Sequence, residues 1–201
     1  WDCNSDTDTL VELLSTDSEP MRSSLWGSYK YEVFAARIRN SIGLMLLEMI
    51  QFKKIAVAGM QGKISGEYLG STLAFDFRIA TADTTFSFDN MRTGLPASPG
   101  LTFLMPRYIG VGRAMSLVQR GSTIDAHEAL SLGLISDVID DNEDLAESCE
   151  NRILDVHTDS HRHLIEHHRR QILPSTSEVD LALERYYRAM VASLNQLRKG
   201  R

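Results

Sequence analysis

From Tyr29 onward, apolar side chains recur at steps of three and four, at Tyr31, Phe34, Ile38, Ile42, Met45 and Met49. That is the spacing of one face of an α-helix. Lys53-Lys54 leads into the short apolar run Ile55-Ala-Val-Ala58, closed by Gly59, which predicts a buried strand. A small-residue helix over about Glu67 to Phe75 and a second buried run, Phe77-Arg-Ile-Ala80, follow. Helix between short buried strands is the pattern of an α/β core. After Phe86-Ser-Phe88 the stretch DNMRTGLPASPG, with Gly94, Pro96, Pro99 and Gly100, predicts an irregular loop. Val111 to Gln119 reads as a helix closed by Gly121, and Asp125 with Glu128 forms a capping box for the helix that Gly133 ends. Leu134 to Ile139 predicts a last strand. The rest is helical: Asn142 to Val156, Asp159 to Leu173 with Pro174 as its stop, and Ser177 to Arg198, whose Val179, Leu183, Tyr186, Met190, Leu194 and Leu197 share a face.

Three regions emerge: residues 1–28, a polar loop with one short apolar helix at Leu10, Val11, Leu13 and Leu14; an α/β core over 29–141; and a helical region over 142–201. The 201 residues, 43% of them hydrophobic, suffice for one packed core. A net charge of −6 argues against a nucleic-acid surface, and no apolar run approaches the ~20 residues of a membrane-spanning helix. Cys3 and Cys149 form neither a disulfide framework nor a zinc motif, and a reducing cytoplasm is the expected setting. Because the chain begins Trp-Asp-Cys, a longer N-terminal region is expected upstream.

Three blocks carry a resemblance. They are Asp76-Phe-Arg78-Ile-Ala80 with the segment before it; Pro106-Arg-Tyr-Ile-Gly110-Val-Gly-Arg113-Ala114; and Asp125-Ala-His-Glu128-Ala129 with Gly133-Leu134. Together they resemble the crotonase superfamily, the enoyl-CoA hydratase and isomerase relatives, over about Lys53 to Ile139. The resemblance implies a spiral of ββα units whose first strands lie upstream, with Trp1-Asp2 as the tail of an Ala-Gly-x-Asp loop. It also implies a homotrimer or hexamer, and an acyl-CoA or acyl-carrier thioester as ligand. Coenzyme A enters as part of the substrate, with no permanently bound cofactor and no metal. The thioester oxygen would sit in an oxyanion hole of backbone N–H groups, where fixed dipoles stabilise developing negative charge without reorganisation.

In this register the family's three-glycine turn falls on Gly66-Glu67-Tyr68, so Glu67 supplies the donating N–H, with Gly66, Gly62 and Tyr68 as the surrounding substrate-binding positions. The two catalytic glutamates of hydratases fall on Gly70 and Asn90, neither of which transfers a proton. Asp89 and Glu67 are the nearest substitutes, against the plainer readings that Asp89 caps a turn and Glu67 faces solvent or a neighbouring subunit. Ser98 stands where the related chlorobenzoyl-CoA dehalogenases carry a nucleophilic Asp; a loop-capping role is its plainer reading. Tyr68 is either a phenolic donor or a core residue. His157, His161, His163, His167 and His168 include metal-like i,i+4 pairs, but sit among Arg162, Arg169 and Arg170 in a hydrophilic helix. A solvated face is expected there, or a basic surface meeting coenzyme A phosphates or an acidic carrier.

Two functions follow as expectations. One is an enzyme of the isomerase, decarboxylase or hydrolase kind that stabilises a thioester enolate, with Asp89, Asn90, Glu67 and Ser98 around the acyl carbonyl. The other is a noncatalytic homologue acting as an accessory or scaffold subunit.

Overall fold

The computed structural model describes residues 43–89, 94–156 and 162–199. The first 42 residues, Asn90, His157 and His161 lie outside them, and so do the expectations placed there. The described chain opens on a helix, α1 (residues 43–51). Its buried face carries Leu46 and Ile50, whereas Met45 is exposed, so the inward stripe is rotated by one position from the expected Met45 and Met49. Gly43 lies on that inward stripe: a Cβ there would come within 2.9 Å of Leu183, which brings the last helix close.

The strands then alternate between two sheets. β1 (Val57–Met60), β3 (Phe77–Thr81) and β6 (Asp137–Ile139) form one, all parallel, with β3 in the middle. β2 (Lys63–Ser65), β4 (Thr85–Ser87) and β5 (Thr123–Asp125) form the other, in which β4 pairs parallel to β2 and antiparallel to β5. The first two turns, β1–β2 and β3–β4, each lay one strand in each sheet before helix carries the chain back, whereas a helix separates β5 from β6. Between β1 and β2 the backbone turns at Gly62, whose φ of +76° is the left-handed region that suits glycine. The first strand starts two residues later than the sequence suggests, and the three-residue β2 and β5 are too short to show periodicity.

The helix α2 (Gly66–Thr72) follows β2 directly, with Ser65 as its N-cap, and ends before the expected Phe75. The expected loop turns helical at Gly100: a π-helical turn (Gly100–Leu104) runs into α3 (Met105–Ile109) and then α4 (Val111–Arg120), which Gly121 ends in the left-handed region. The capping box forms as read, with Asp125 Oδ1 accepting from the Glu128 N–H at 2.7 Å at the start of α5 (Ala126–Ser131). The last helices are α6 (Leu145–Val156), α7 (Arg162–Ile172) and α8 (Thr176–Lys199). Leu69, Leu73, Phe86, Phe88, Leu101, Leu104, Met105 and Leu134 form the centre of the core, and α8 contributes Val179 and Leu183 to it. The C-terminal region therefore packs on its own core.

Two buried arginines tie the layers together. The Arg78 guanidinium donates to the carbonyls of Leu134 at 2.6 Å and Phe75 at 2.8 Å, and lies 5.0 Å from the centre of the Tyr108 ring. Arg169 of α7 donates to the carbonyls of Phe52, Met49 and Ala74 and pairs with Asp76 at 2.5 Å. Asp76 also accepts the Ala56 N–H at 2.7 Å, at the entrance to β1. The Asp-x-Arg signature thus does structural work here. Arg169, 5% exposed and engaged by three carbonyls and a carboxylate, is not available to a phosphate, which removes it from the basic surface expected on this helix.

Candidate functional site

The site is built where α2 meets the turn that begins at Ser98. Ser65 precedes α2 in extended conformation, and its hydroxyl accepts the Glu67 N–H at 3.2 Å. This is ordinary helix capping, which satisfies one of the free N–H groups of the first turn. Its consequence is specific: the amide expected to face a thioester oxygen already has an acceptor. Gly66 is needed at its position, because a Cβ there would lie 2.7 Å from the Phe88 ring and 3.0 Å from the Ser87 carbonyl. Gly62 serves the turn, with its carbonyl accepting the Thr85 N–H at 2.9 Å.

The Glu67 side chain is half-buried and turned toward Ser98. Both carboxylate oxygens accept the Ser98 N–H, each at 3.1 Å. This bond joins positions 31 residues apart and brings together two of the residues proposed from sequence. Ser98 is wholly buried. Its carbonyl accepts from the Leu101 and Thr102 N–H groups and from the Thr102 hydroxyl, which anchors the following π-helical turn. The expected loop cap therefore comes from the Ser98 backbone; the Ser98 hydroxyl itself makes no hydrogen bond. With no base bonded to it, that hydroxyl is not an activated nucleophile.

Gly70, which the resemblance aligns with the first hydratase glutamate, is filled from the opposite side. A Cβ on Gly70 would meet the backbone of Gly100 and Leu101 at 3.0 Å, and one on Gly100 would come within 2.3 Å of the Gly70 carbonyl carbon. The two backbones cross in direct contact, and a glutamate at 70 has no room. Tyr68 is half-buried against the core. Asp89 lies half-buried just after β4, and Asn90 next to it is outside the described residues.

The sequence places Tyr186 only on the shared face of the last helix. It stands 8% exposed on α8, packed with Met190 and Leu194 and with Leu95 from the loop before Ser98. Burial first, and the Glu67 charge second, push its phenol above the ordinary tyrosine value of 10. Leu95, three residues before Ser98, is the packing contact that links this part of α8 to the loop. The helical spacing put Tyr186 on the apolar face of α8, but nothing in the sequence links that face to Leu95. His167 and His168 are exposed on α7, and among the described residues no group of His, Cys, Asp and Glu is arranged to hold a metal.

Residues 28–201 match the family described as Enoyl-CoA hydratase/isomerase. The chain belongs to that family. A peroxisomal bifunctional enzyme of Cavia porcellus is 38% identical over 101 residues, a stretch that covers 50% of this chain and 14% of that protein. A probable enoyl-CoA hydratase of Bacillus subtilis is 32% identical over 115 residues, covering 57% of this chain and 43% of that one. The chain thus spans less than half the length of these curated relatives. Among solved structures, an enoyl-CoA hydratase from Bacillus halodurans superposes with a TM-score of 0.77 at 24% identity, over 92% of this chain and 70% of that one. A probable enoyl-CoA hydratase/isomerase from Mycobacterium abscessus gives 0.60 at 29% identity, over 78% and 62%. The enoyl-CoA hydratase/isomerase fold is therefore the crotonase fold expected from the three sequence blocks.

Proposed function

We propose that this protein binds an acyl-CoA thioester and moves a proton on it through an enolate, as an isomerase of the family and not as a two-carboxylate hydratase. The observation that carries the reading is the Glu67 carboxylate, turned inward and bound to the Ser98 N–H. Adding water across a double bond by the family's route calls on two carboxylates, and the first of those positions is Gly70, closed off by Gly100. Shifting a double bond needs one base, which takes a proton from the carbon next to the thioester carbonyl and returns it two carbons further on. Glu67 has the chemistry for both steps, and Asp89 is the other carboxylate close in sequence. Ordinary family ligands, a coenzyme A thioester or a carrier-bound pantetheine thioester, present the same arm. A homotrimer or hexamer in the cytoplasm is part of this reading.

The second reading, a noncatalytic subunit, is favoured by one observation: the Glu67 amide is already capped by Ser65. The intact protein assayed with 3-enoyl-CoA and 2-enoyl-CoA substrates separates the two. Isomerisation of 3-enoyl-CoA is expected, with Glu67→Gln lowering kcat by about a hundredfold or more at an unchanged melting temperature, as loss of a general base does. Binding of the thioester with no turnover in the wild type supports the accessory role.

A further inference from the structure

A buried hydroxyl without a hydrogen-bond partner costs about 1–3 kcal/mol, so such groups call for an explanation. Two buried side-chain atoms among the described residues lack one, Ser98 Oγ and Arg169 Nη1. The second lies 2.5 Å from the Asp76 carboxylate in an ion pair, so its charge is answered. Ser98 Oγ has nothing: the residue is 0% exposed, while its own N–H and carbonyl are fully engaged by Glu67, Leu101 and Thr102. The loss stands at the centre of the site, on the residue held by the proposed base, and the amide expected to receive the thioester oxygen is bonded to Ser65 Oγ.

We infer that Ser98 Oγ is the hydrogen-bond donor to the thioester carbonyl oxygen in this protein, in place of the Glu67 amide. The inference rests on the reading of the site as a thioester site and adds the residue that recognises the carbonyl. A hydroxyl suits the task because it donates one hydrogen bond and rotates to meet its acceptor. Arrangement supports it as well. Glu67 holds the Ser98 backbone in place, so the same contact that positions the base positions the donor.

The test compares butanoyl-CoA with the matching S-butyl-CoA thioether, which has a methylene where the thioester has its carbonyl. Each is titrated by calorimetry into the intact protein and into Ser98→Ala. The wild type is expected to prefer the thioester by about tenfold, and Ser98→Ala to bring the preference below twofold. The ligand-free melting temperature of Ser98→Ala is expected to equal or exceed that of the wild type, because no hydrogen bond is removed. A wild type that binds both compounds equally, or a variant that keeps the preference, overturns the Ser98 assignment while the thioester reading stands. A variant whose melting temperature falls by several degrees also overturns it, by giving the hydroxyl a role in the fold. A wild type that binds neither compound overturns both.

Discussion

Glu67 illustrates how one residue acquires two opposed roles from its position in the first turn of α2. Its N–H points to the cap and its side chain to Ser98, so one residue ties the start of α2 to the loop. Ser65→Ala would release the amide. An N-cap hydroxyl stabilises its helix by about 1 kcal/mol, so chemical denaturation should show a loss of that size. If the Ser65 cap is what withholds the Glu67 amide from ligands, the same variant should bind butanoyl-CoA more tightly. Equal affinity in the two proteins would mean that the cap and the ligand do not compete. Glu67 and Ser98 stood out as candidates in the sequence through the register that the resemblance gives them. Their hydrogen bond did not, because it spans 31 residues and depends on how α2 and the loop are packed. The same limit applies to Ser98 Oγ, since an absent partner has no sequence signal.

At the scale of elements, the decisive contact is the crossing of α2 with the π-helical turn. Helices approach this closely only where both carry glycine, and here Gly70 faces Gly100. Sequence reading registered Gly70 as a lost catalytic position and Gly100 as a loop breaker; their pairing explains both. Gly100→Ala puts a methyl group 2.3 Å from the Gly70 carbonyl carbon, where only backbone can yield. Overpacking of that kind costs about 1–3 kcal/mol or more, and urea denaturation of the variant should show a loss at least that large. Gly112→Ala is the control, since a Cβ there, in the first turn of α4, meets nothing within 4 Å. A Gly100→Ala protein as stable as the control would mean that the two backbones are not locked together. Long helices with clear periodicity were readable in advance, as were the capping box of α5 and the left-handed stop at Gly121. β2, β5 and the helical start at Gly100 were not, because three-residue strands carry no pattern and Pro99-Gly100 reads locally as a breaker.

For the molecule as a whole, the question is what keeps the last helices on the α/β core, since α8 packs against Leu95 of the loop that leads to Ser98. α7 is held by Arg169, and α8 is held at its start by Val179 and Leu183 in the main core and further along by Tyr186, Met190 and Leu194 against Leu95. The start of α8 is also pinned by Glu178, which accepts from the Ser175 N–H and hydroxyl and pairs with Arg107 of α3. Tyr186 makes this docking sensitive to alkali. Its folded-state pKa lies above the unfolded value of 10, so the native protein keeps a proton that the unfolded chain releases. The corresponding stability is fully present below pH 10 and is lost as pH rises toward the folded value, because the unfolded state then binds fewer protons. Tyr186→Phe removes this linkage while keeping the ring, and the other tyrosines contribute alike to both proteins. Between about pH 10 and 11, urea denaturation of the wild type should therefore lose stability more steeply with pH than that of the variant, with parallel behaviour near neutrality. Identical alkaline slopes would show that the phenol is not buried between α8 and Leu95, and this account of how the second half of α8 docks would have to be abandoned.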